Sequence, residues 1–225
     1  MLKAIKAFFR LSVIKTLLFN LRVFPFGTAV RLPVLLGRHI RVRGCGRGSI
    51  VLPEKPSSFM LVLGVTGSRD LDHFNPSGSS LIIEKGSRLV IKGSARLARH
   101  FSVLIKNGAS LTLGDGFTCN NGCTLSCVKG ITVGDDVLLG GNIALRDSDG
   151  HKIYNDGSPS VPEKEIIIGG HVWICNDSVL LKGAEIAAGS IVAHSSVVTS
   201  AFYCENALIA GSPARQVKER VSWEH

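Results

Sequence analysis

A histidine follows two carboxylates within one polar stretch, Asp147-Ser-Asp149-Gly-His151. A His side chain can take up a proton near neutral pH and can therefore act as a general base. A nearby carboxylate, with Asp147 preferred over Asp149, would orient the ring and stabilise the imidazolium. No Ser or Cys occupies a recognisable nucleophile elbow, which favours direct transfer over a covalent intermediate. The alternative is a solvated histidine of the kind that polar loops commonly carry.

Two further features suit ligand binding. Trp173 follows the same polar stretch, and an outward indole there could line a ligand site or be covered by a neighbouring subunit. Near the end of the chain, Arg215 and Lys218 are about one helical turn apart. Such a cation pair can bind phosphates, or it can simply be solvated.

Six cysteines invite a metal interpretation, because three of them recur every fourth residue at Cys119, Cys123 and Cys127. Paired CxxC spacing, the usual mark of a zinc site, is missing. Cys119 and Cys123 instead fall on inward positions of a repeat, where Cys acts as a small hydrophobic residue. We therefore expect buried packing and no metal. Without an evident signal peptide, we expect reduced thiols and a cytoplasmic location.

An aliphatic residue returns at every sixth position along residues 168–202 and so defines the element that must position these groups. The aliphatic positions are Ile168, Ile174, Leu180, Ile186, Val192 and Val198. The residue four places later is small or β-branched in five frames, at Val172, Ser178, Ala184, Ser190 and Ser196. Neither a helix nor a simple strand has this period, which is typical of a parallel β-helix with three frames per coil.

A longer repeat precedes this run. The segment 83–91 matches 105–113, and glycines at 86, 108 and 130 mark a corner where positive φ is expected. The frame then breaks, because 23 residues separate Leu145 from Ile168. About seventeen of these must leave the coil as a loop, taken as 146–165, and long loops in compact repeats are usually functional.

The basic residues of the chain are concentrated at its N-terminus, since residues 1–55 hold eleven Lys/Arg and one acid. Residues 1–24 are expected to be helical and too interrupted by charge to span a bilayer. Their apolar face could bind the inner membrane surface, or it could pack on a subunit or on the end of the β-helix. Nucleic acid is disfavoured, because no helix-turn-helix, zinc-finger or stacking motif is present.

These patterns predict three regions. Residues 1–55 form a basic helical or irregular segment, residues 56–210 form the β-helix with its loop, and residues 211–225 form a short closing helix. Apart from these helical ends, the fold class is all-β.

The hexapeptide run, the loop with His151, the Val172-Trp-Ile frame and the closing segment 211–218 together resemble the hexapeptide-repeat O-acetyltransferases. The resemblance covers about residues 81–221, and the members that acylate sugars fit best. It implies a left-handed parallel β-helix, an exception to the usual right-handed crossover. It also implies a homotrimer with active sites between adjacent subunits, and acetyl-CoA as the acyl donor.

The resemblance implies roles for single residues. His151 matches the catalytic base, and Trp173 matches a residue that lines the acceptor or CoA cleft. Positions that contact CoA are matched by Asn176, His194, Arg215 and Lys218. Positions near the acceptor are Asn120, Asn121 and Asn142, with Asp149 expected to join them.

The chain departs from the family pattern at three places. Cys175 replaces a Gly, Ser200 stands where a Lys often contacts phosphate, and Tyr203-Cys204 replaces a Pro-Pro pair.

The sequence thus predicts an acetyl-CoA-dependent O-acetyltransferase that acts on a sugar hydroxyl of a bacterial surface polysaccharide or its precursor. The acceptor could instead be an amino sugar or serine. A zinc hydratase would need three converging histidines, and the histidines present lack the close spacing expected of such a site. A non-catalytic scaffold is the third alternative, because a fold does not determine function.

Overall fold

Short strands with an inward residue at every second position form three flat parallel sheets, which wrap around one narrow core. The computed structural model describes residues 12–65 and 78–225. Its helices are α1 (Val13–Val23) and α2 (Phe26–Ala29). In chain order, the strands are β1 (Val34–Leu36), β2 (Ile40–Arg43), β3 (Ile50–Val51), β4 (Leu61–Leu63), β5 (Ser79–Ile83), β6 (Arg88–Ile91), β7 (Ala95–Leu97), β8 (Ser102–Ile105), β9 (Ser110–Leu113), β10 (Phe117–Cys119), β11 (Thr124–Cys127), β12 (Ile131–Val133), β13 (Leu138–Leu139), β14 (Ala144–Arg146), β15 (Tyr154–Asn155), β16 (Ser158–Pro159), β17 (Ile166–Ile168), β18 (Trp173–Ile174), β19 (Val179–Leu181), β20 (Glu185–Ile186), β21 (Ile191–Val192), β22 (Val197–Val198), β23 (Ala201–Phe202), β24 (Leu208–Gly211) and β25 (Ala214–Lys218).

Each sheet forms one face of a triangular prism. The first face has the order β1-β4-β7-β10-β13-β18-β21-β24-β25, the second β2-β5-β8-β11-β14-β19-β22, and the third β3-β6-β9-β12-β17-β20-β23. Within a face, strands of successive coils pair in parallel with equivalent residues aligned, as at Leu125↔Leu145 and Leu145↔Leu180. The chain therefore climbs one coil each time it passes around the three faces, as the hexapeptide period predicts.

Stacked aliphatic side chains fill the prism. All six residues of the hexapeptide column, from Ile168 to Val198, are at most 1% exposed, and the small residues four places later are buried as well. Burying one such aliphatic side chain contributes about 1.5–3 kcal/mol. Cys119, Cys123 and Cys127 are also fully buried, which confirms that they pack in the core. Burial raises the pKa of the Cys127 thiol to about 12, with a further contribution from nearby Asp147.

Two of the three predicted corner glycines have positive φ, Gly86 at 84° and Gly108 at 77°. Gly130 does not, so the expectation is wrong at that position. Its corner differs because Asp147 binds the backbone there, as described below.

The β-helix begins at Val34, well before residue 56. Strand β1 follows Pro33 directly and pairs with β4, and one strand of three residues is too short to show a period. The predicted N-terminal helix is confirmed for Val13–Val23, and residues 1–11 lie outside the described residues.

The expected C-terminal helix is wrong. Residues Ala214–Lys218 form β25, which turns back and pairs antiparallel with β24. The last strand of the first face would otherwise leave its backbone groups unpaired, so pairing with β25 outweighs local helix propensity.

Candidate active site

The predicted loop leaves the β-helix between the second and third faces. We call the segment that enters the loop its first leg and the segment that returns its second leg. Hydrogen bonds join the two legs, from the Asp149 amide to the Pro162 carbonyl (2.9 Å) and from the Ser160 amide to the Ile153 carbonyl (2.7 Å). Beyond these bonds, β15 and β16 form a small hairpin. The loop is therefore a folded projection whose legs are held together at its base.

Asp147 anchors this base of the loop. The prediction that its carboxylate orients His151 is therefore wrong. Its carboxylate is fully buried and accepts hydrogen bonds from the backbone amides of Val128, Lys129 and Gly130 at 2.8–3.0 Å. A buried carboxylate requires such donors, and three consecutive amides of the preceding coil supply them. Asp147 is thus occupied in fixing the point where the loop begins.

Asp149 is also occupied, by Lys182 of the next coil. The Lys182 ammonium donates to the Asp149 carboxylate and to the Val161 carbonyl, the latter at 2.6 Å. One lysine thereby binds both legs of the loop, and the pair is largely shielded from solvent. Sequence reasoning missed Lys182, although its place at the loop corner one coil later was a usable signal.

His151 lies exposed on the first leg. No hydrogen bond or ion pair reaches its ring from any other residue in 12–65 or 78–225. The structure therefore holds His151 on an anchored loop with its imidazole open to a ligand or a neighbouring chain.

Several predicted ligand-binding residues come together at a different corner, between the first and second faces. The Asn142 side-chain amide donates to Asp177 (3.0 Å), and Asp177 lies 3.2 Å from His194. The Asn176 side-chain oxygen accepts from the Gly141 amide at 2.9 Å. The predicted residues at this corner are Asn120, Asn121, Asn142, Asn176 and His194. They form a polar column along one edge of the prism.

Trp173 lies on the first face, beside the polar column. Its cross-strand neighbours are Leu138 and Ile191, and the same row continues through Leu208 to Lys218. This row therefore places a strip of apolar residues, from Leu138 to Leu208, next to the Lys218 cation.

Arg215 and Lys218 are both exposed on β25, so the expectation of one helical turn between them is wrong. They pair with different residues of β24, Ala210 and Leu208. The cations are held by the strand pairing at the C-terminal end of the first face.

Trp173 is half-buried because the C-terminal segment covers part of it, which sequence reasoning missed. The Trp223 ring lies 6.1 Å from that of Trp173 and stacks on His171 at 4.4 Å. Trp223 donates its indole N–H to the His171 carbonyl (2.9 Å). His171 is in turn paired with Asp136 at 2.6 Å, and Asp136 also contacts His225. Asp136 and His171 thereby dock Trp223 and His225 of the C-terminal segment on the corner between the third and first faces.

The predicted site residues do not meet within one chain. The loop leaves one corner, and the polar column occupies another, with the second face between them. Of the three departures from the family pattern, Cys175 is half-buried, whereas Ser200 and Tyr203 are exposed. Among residues 12–65 and 78–225, no group of three or more His, Cys, Asp and Glu side chains is placed to hold a metal ion. In the same ranges, no helix is both long and apolar enough to cross a bilayer.

Parts of the chain are similar in sequence to known proteins. No protein-family profile matches the chain. A 102-residue segment is 29% identical to WbbJ of Escherichia coli K12, named as a lipopolysaccharide biosynthesis O-acetyl transferase, over 41% of this chain and 52% of the relative. A 95-residue segment is 31% identical to the polysialic acid O-acetyltransferase of Escherichia coli O1:K1, over 41% and 31% of the two chains. These matches thus span about a third to a half of the relatives' lengths.

Solved structures share the fold. The crystal structure of the polySia-specific acetyltransferase NeuO superposes with a TM-score of 0.55 and 18% identity, over 85% of this chain and 72% of that one. The common architecture is the left-handed parallel β-helix, which confirms the predicted fold class.

Proposed function

We propose that this chain belongs to the hexapeptide-repeat O-acetyltransferases and transfers the acetyl group of acetyl-CoA to a sugar hydroxyl of a bacterial surface polysaccharide or its precursor. The observation that carries the proposal is the open imidazole of His151 on a loop anchored by Asp147 and Lys182. A catalytic base must be held in place and yet be free to meet its substrate, and this loop meets both requirements. The sequence similarity to two O-acetyltransferases supports the same activity.

In the proposed reaction, His151 removes the proton of the acceptor hydroxyl as its oxygen attacks the thioester carbonyl. The carbon–sulfur bond then breaks, and the imidazolium returns the proton to the CoA thiolate. General-base assistance of this kind contributes about 10²–10⁴-fold in rate. A backbone N–H of a neighbouring coil would stabilise the tetrahedral oxyanion.

Two surfaces would hold the substrates. We assign CoA to Trp173 and the cations of β25, together with Asn176 and His194, because an apolar strip beside Arg215 and Lys218 suits an adenine nucleotide with phosphates. The acceptor would lie between the polar column, at Asn120, Asn121 and Asn142, and the loop that carries Asp149. Amide side chains can donate to and accept from sugar hydroxyls.

The separation of these surfaces supports a homotrimer, in which the loop of one subunit reaches the polar column of the next. We also propose a cytoplasmic enzyme at the inner membrane face. Six unpaired thiols support the cytoplasm, and the exposed apolar side of α1 supports membrane contact.

The test combines calorimetric titration of acetyl-CoA with a chromatographic assay of acetyl transfer to candidate glycans. His151→Ala should bind acetyl-CoA within about twofold of wild type and should lose about 10²–10⁴-fold in turnover. The Arg215→Ala/Lys218→Ala variant should bind acetyl-CoA at least about tenfold more weakly, as expected when charge-assisted hydrogen bonds are lost.

His39→Ala is the matched control, because this exposed histidine lies far along the chain from the loop. Its binding and turnover should equal those of wild type. Unchanged turnover in His151→Ala would exclude His151 as the base. Absence of acetyl-CoA binding to wild type would contradict the enzyme proposal and favour a scaffold, and transfer only to an amino sugar or serine would change the acceptor.

A further inference from the structure

A cavity of about 760 Å³ opens on the same edge of the prism as the His151 loop, in the first two coils. We call this edge the loop edge, and its residues are 43–49, 84–88, 106–109, 128–130 and 147–165. Gly44, Gly46, Arg47, Gly48 and Ser49 of a glycine-rich turn form one wall of the cavity, and residues 82–88 form the other. The cavity belongs to neither substrate surface of the proposed reaction.

Three cations line this cavity, Arg47, Lys85 and Arg88, against one acid, Glu84. All four side chains are exposed. In the part of the chain that the structure describes, none of the three cations forms an ion pair. Three cations beside a single carboxylate leave the cavity with an excess of positive charge, so an anion bound between the cations would be stabilised.

The glycine-rich turn that lines the cavity also has backbone amides without a protein acceptor in the described ranges. The amides of Arg47 and Gly48 donate to no acceptor among the described residues, whereas the Ser49 amide closes the turn on the Gly46 carbonyl. Amides in such a turn can bind an anion together with side-chain cations.

The positive charge continues from the cavity towards the loop. Lys106 stands on the loop edge in the third coil and Lys129 in the fourth, directly before the coil that carries His151. Coils are separated by the spacing of paired strands, about 4.8 Å, so the edge from Lys85 to the loop extends about 14 Å. Regularly spaced cations of this kind suit a chain of repeated anionic groups better than a single ion.

We propose that the cavity and the lysines of the loop edge bind an anionic glycan, so that the acceptor carries carboxylates or phosphates and is led along this edge to His151. The inference rests on the proposed function for what happens to the glycan once it is bound. The binding itself depends only on the residues named above. An anionic membrane surface is the rival ligand.

The experiment measures binding of fluorescently labelled oligogalacturonate, of polyphosphate and of a neutral dextran oligomer to the full chain at low salt. The variant Arg47→Gln/Lys85→Gln/Arg88→Gln should bind the anionic probe at least about tenfold more weakly and with a shallower salt dependence, as expected when ionic contacts are removed. The control Arg31→Gln/Lys55→Gln/Lys92→Gln removes three exposed cations elsewhere and should change binding less than about twofold. The probe that wild type prefers identifies carboxylate or phosphate as the recognised group.

A second variant, Lys106→Gln/Lys129→Gln, keeps the test decisive if the triple variant does not fold, and it should also weaken binding. Equal binding of the anionic and neutral probes, or unchanged binding in both variants, would overturn the proposal. Vesicles of anionic lipid are tested in parallel by cosedimentation. If the variants lose binding to these vesicles but keep their binding to the anionic probes, the cations are assigned to the membrane and the proposal is overturned. Acetyl-CoA binding is measured on the same samples, so a chain that binds acetyl-CoA but not the anionic probes refutes this inference alone.

Discussion

His171 joins the C-terminal segment to the β-helix through both of its ring nitrogens. Nδ1 lies 2.6 Å from the Asp136 carboxylate and Nε2 lies 3.2 Å from the Trp223 carbonyl. Both partners are acceptors, so both bonds form together only when the ring is the doubly protonated imidazolium. The hydrogen bond to Asp136 accordingly raises the pKa of His171 above its usual 6.5, and the bond from His171 lowers the pKa of Asp136 below 3.8.

These shifts predict that docking of the C-terminal segment depends on pH. A raised His171 pKa contributes stability that is complete below pH 6.5 and is lost as pH rises through the folded value. A lowered Asp136 pKa contributes stability above pH 3.8 that is lost as pH falls through its folded value. Docking should therefore be firmest between these limits, and tryptophan emission should shift to the red on going from pH 6 towards alkaline pH.

His171→Asn should remove the alkaline part of this shift, whereas His39→Asn should keep it. Trp223→Phe assigns the signal, since Trp173 is the only other tryptophan. A shift of the same size in His171→Asn would contradict the assignment of the pH dependence to His171.

Helix α1 buries two polar side chains, Thr16 and Asn20, beside the apolar Phe19 and Val23. Asn20 donates to the Val34 carbonyl (2.8 Å) and accepts from the Val34 amide (3.1 Å), and the Thr16 hydroxyl accepts from the Leu36 amide at 3.1 Å. These side chains satisfy the open edge of β1, where no further coil among residues 12–65 and 78–225 supplies partners. The opposite side of the helix exposes Val13, Ile14, Leu17, Leu18 and Leu21.

An outward apolar stripe flanked by Lys15 and Arg22 suits the surface of an anionic bilayer. Leu17→Gln/Leu18→Gln should reduce cosedimentation with vesicles that contain anionic lipid at least about fivefold, because buried apolar area sets the strength of interfacial binding. Fold and acetyl-CoA binding should be unaffected. These substitutions are preferable to deletion of the helix, which would also uncover the edge of β1.

The control Val51→Gln/Phe59→Gln changes two exposed apolar residues away from the helix and should leave vesicle binding unchanged. Equal sedimentation of wild type and the helix variant would show that α1 does not bind the bilayer and would favour a covering subunit.

At the scale of the whole molecule, the second face separates the His151 loop from the polar column, so one prism does not complete the proposed site. A site completed by two chains predicts complementation between two impaired variants, assayed at an acetyl-CoA concentration too low to saturate the weakly binding one. Mixed oligomers of His151→Ala with Arg215→Ala/Lys218→Ala would contain interfaces in which both contributing surfaces are wild type. In a purified trimer that contains both variants, one of the three interfaces has two wild-type surfaces, so about a third of wild-type activity should return.

The assay is acetyl transfer after the two variants are coexpressed and purified through different affinity tags in succession. The control is coexpression of two differently tagged His151→Ala chains, which should stay inactive. If the mixed oligomer is no more active than its separate parents, both surfaces must act from the same chain.

The sequence by itself determined the β-helix, its inward columns and the place of the loop. These features follow from local repetition, since a position such as Leu180 or Ile186 points inward because of its place in the six-residue frame. The exposure of His151 follows as well, because a polar insertion cannot remain in the coil.

Only the tertiary structure decided what Asp147, the last strand and helix α1 do. Asp147 binds amides 17 to 19 residues earlier, β25 becomes a strand because the edge of β24 needs a partner, and Asn20 satisfies Val34 across 14 residues. The partner of each group is brought near by folding and is not marked by sequence spacing. Unpaired backbone groups and buried charges are costly wherever they arise, so the folded chain recruits residues whose local pattern suggests other roles.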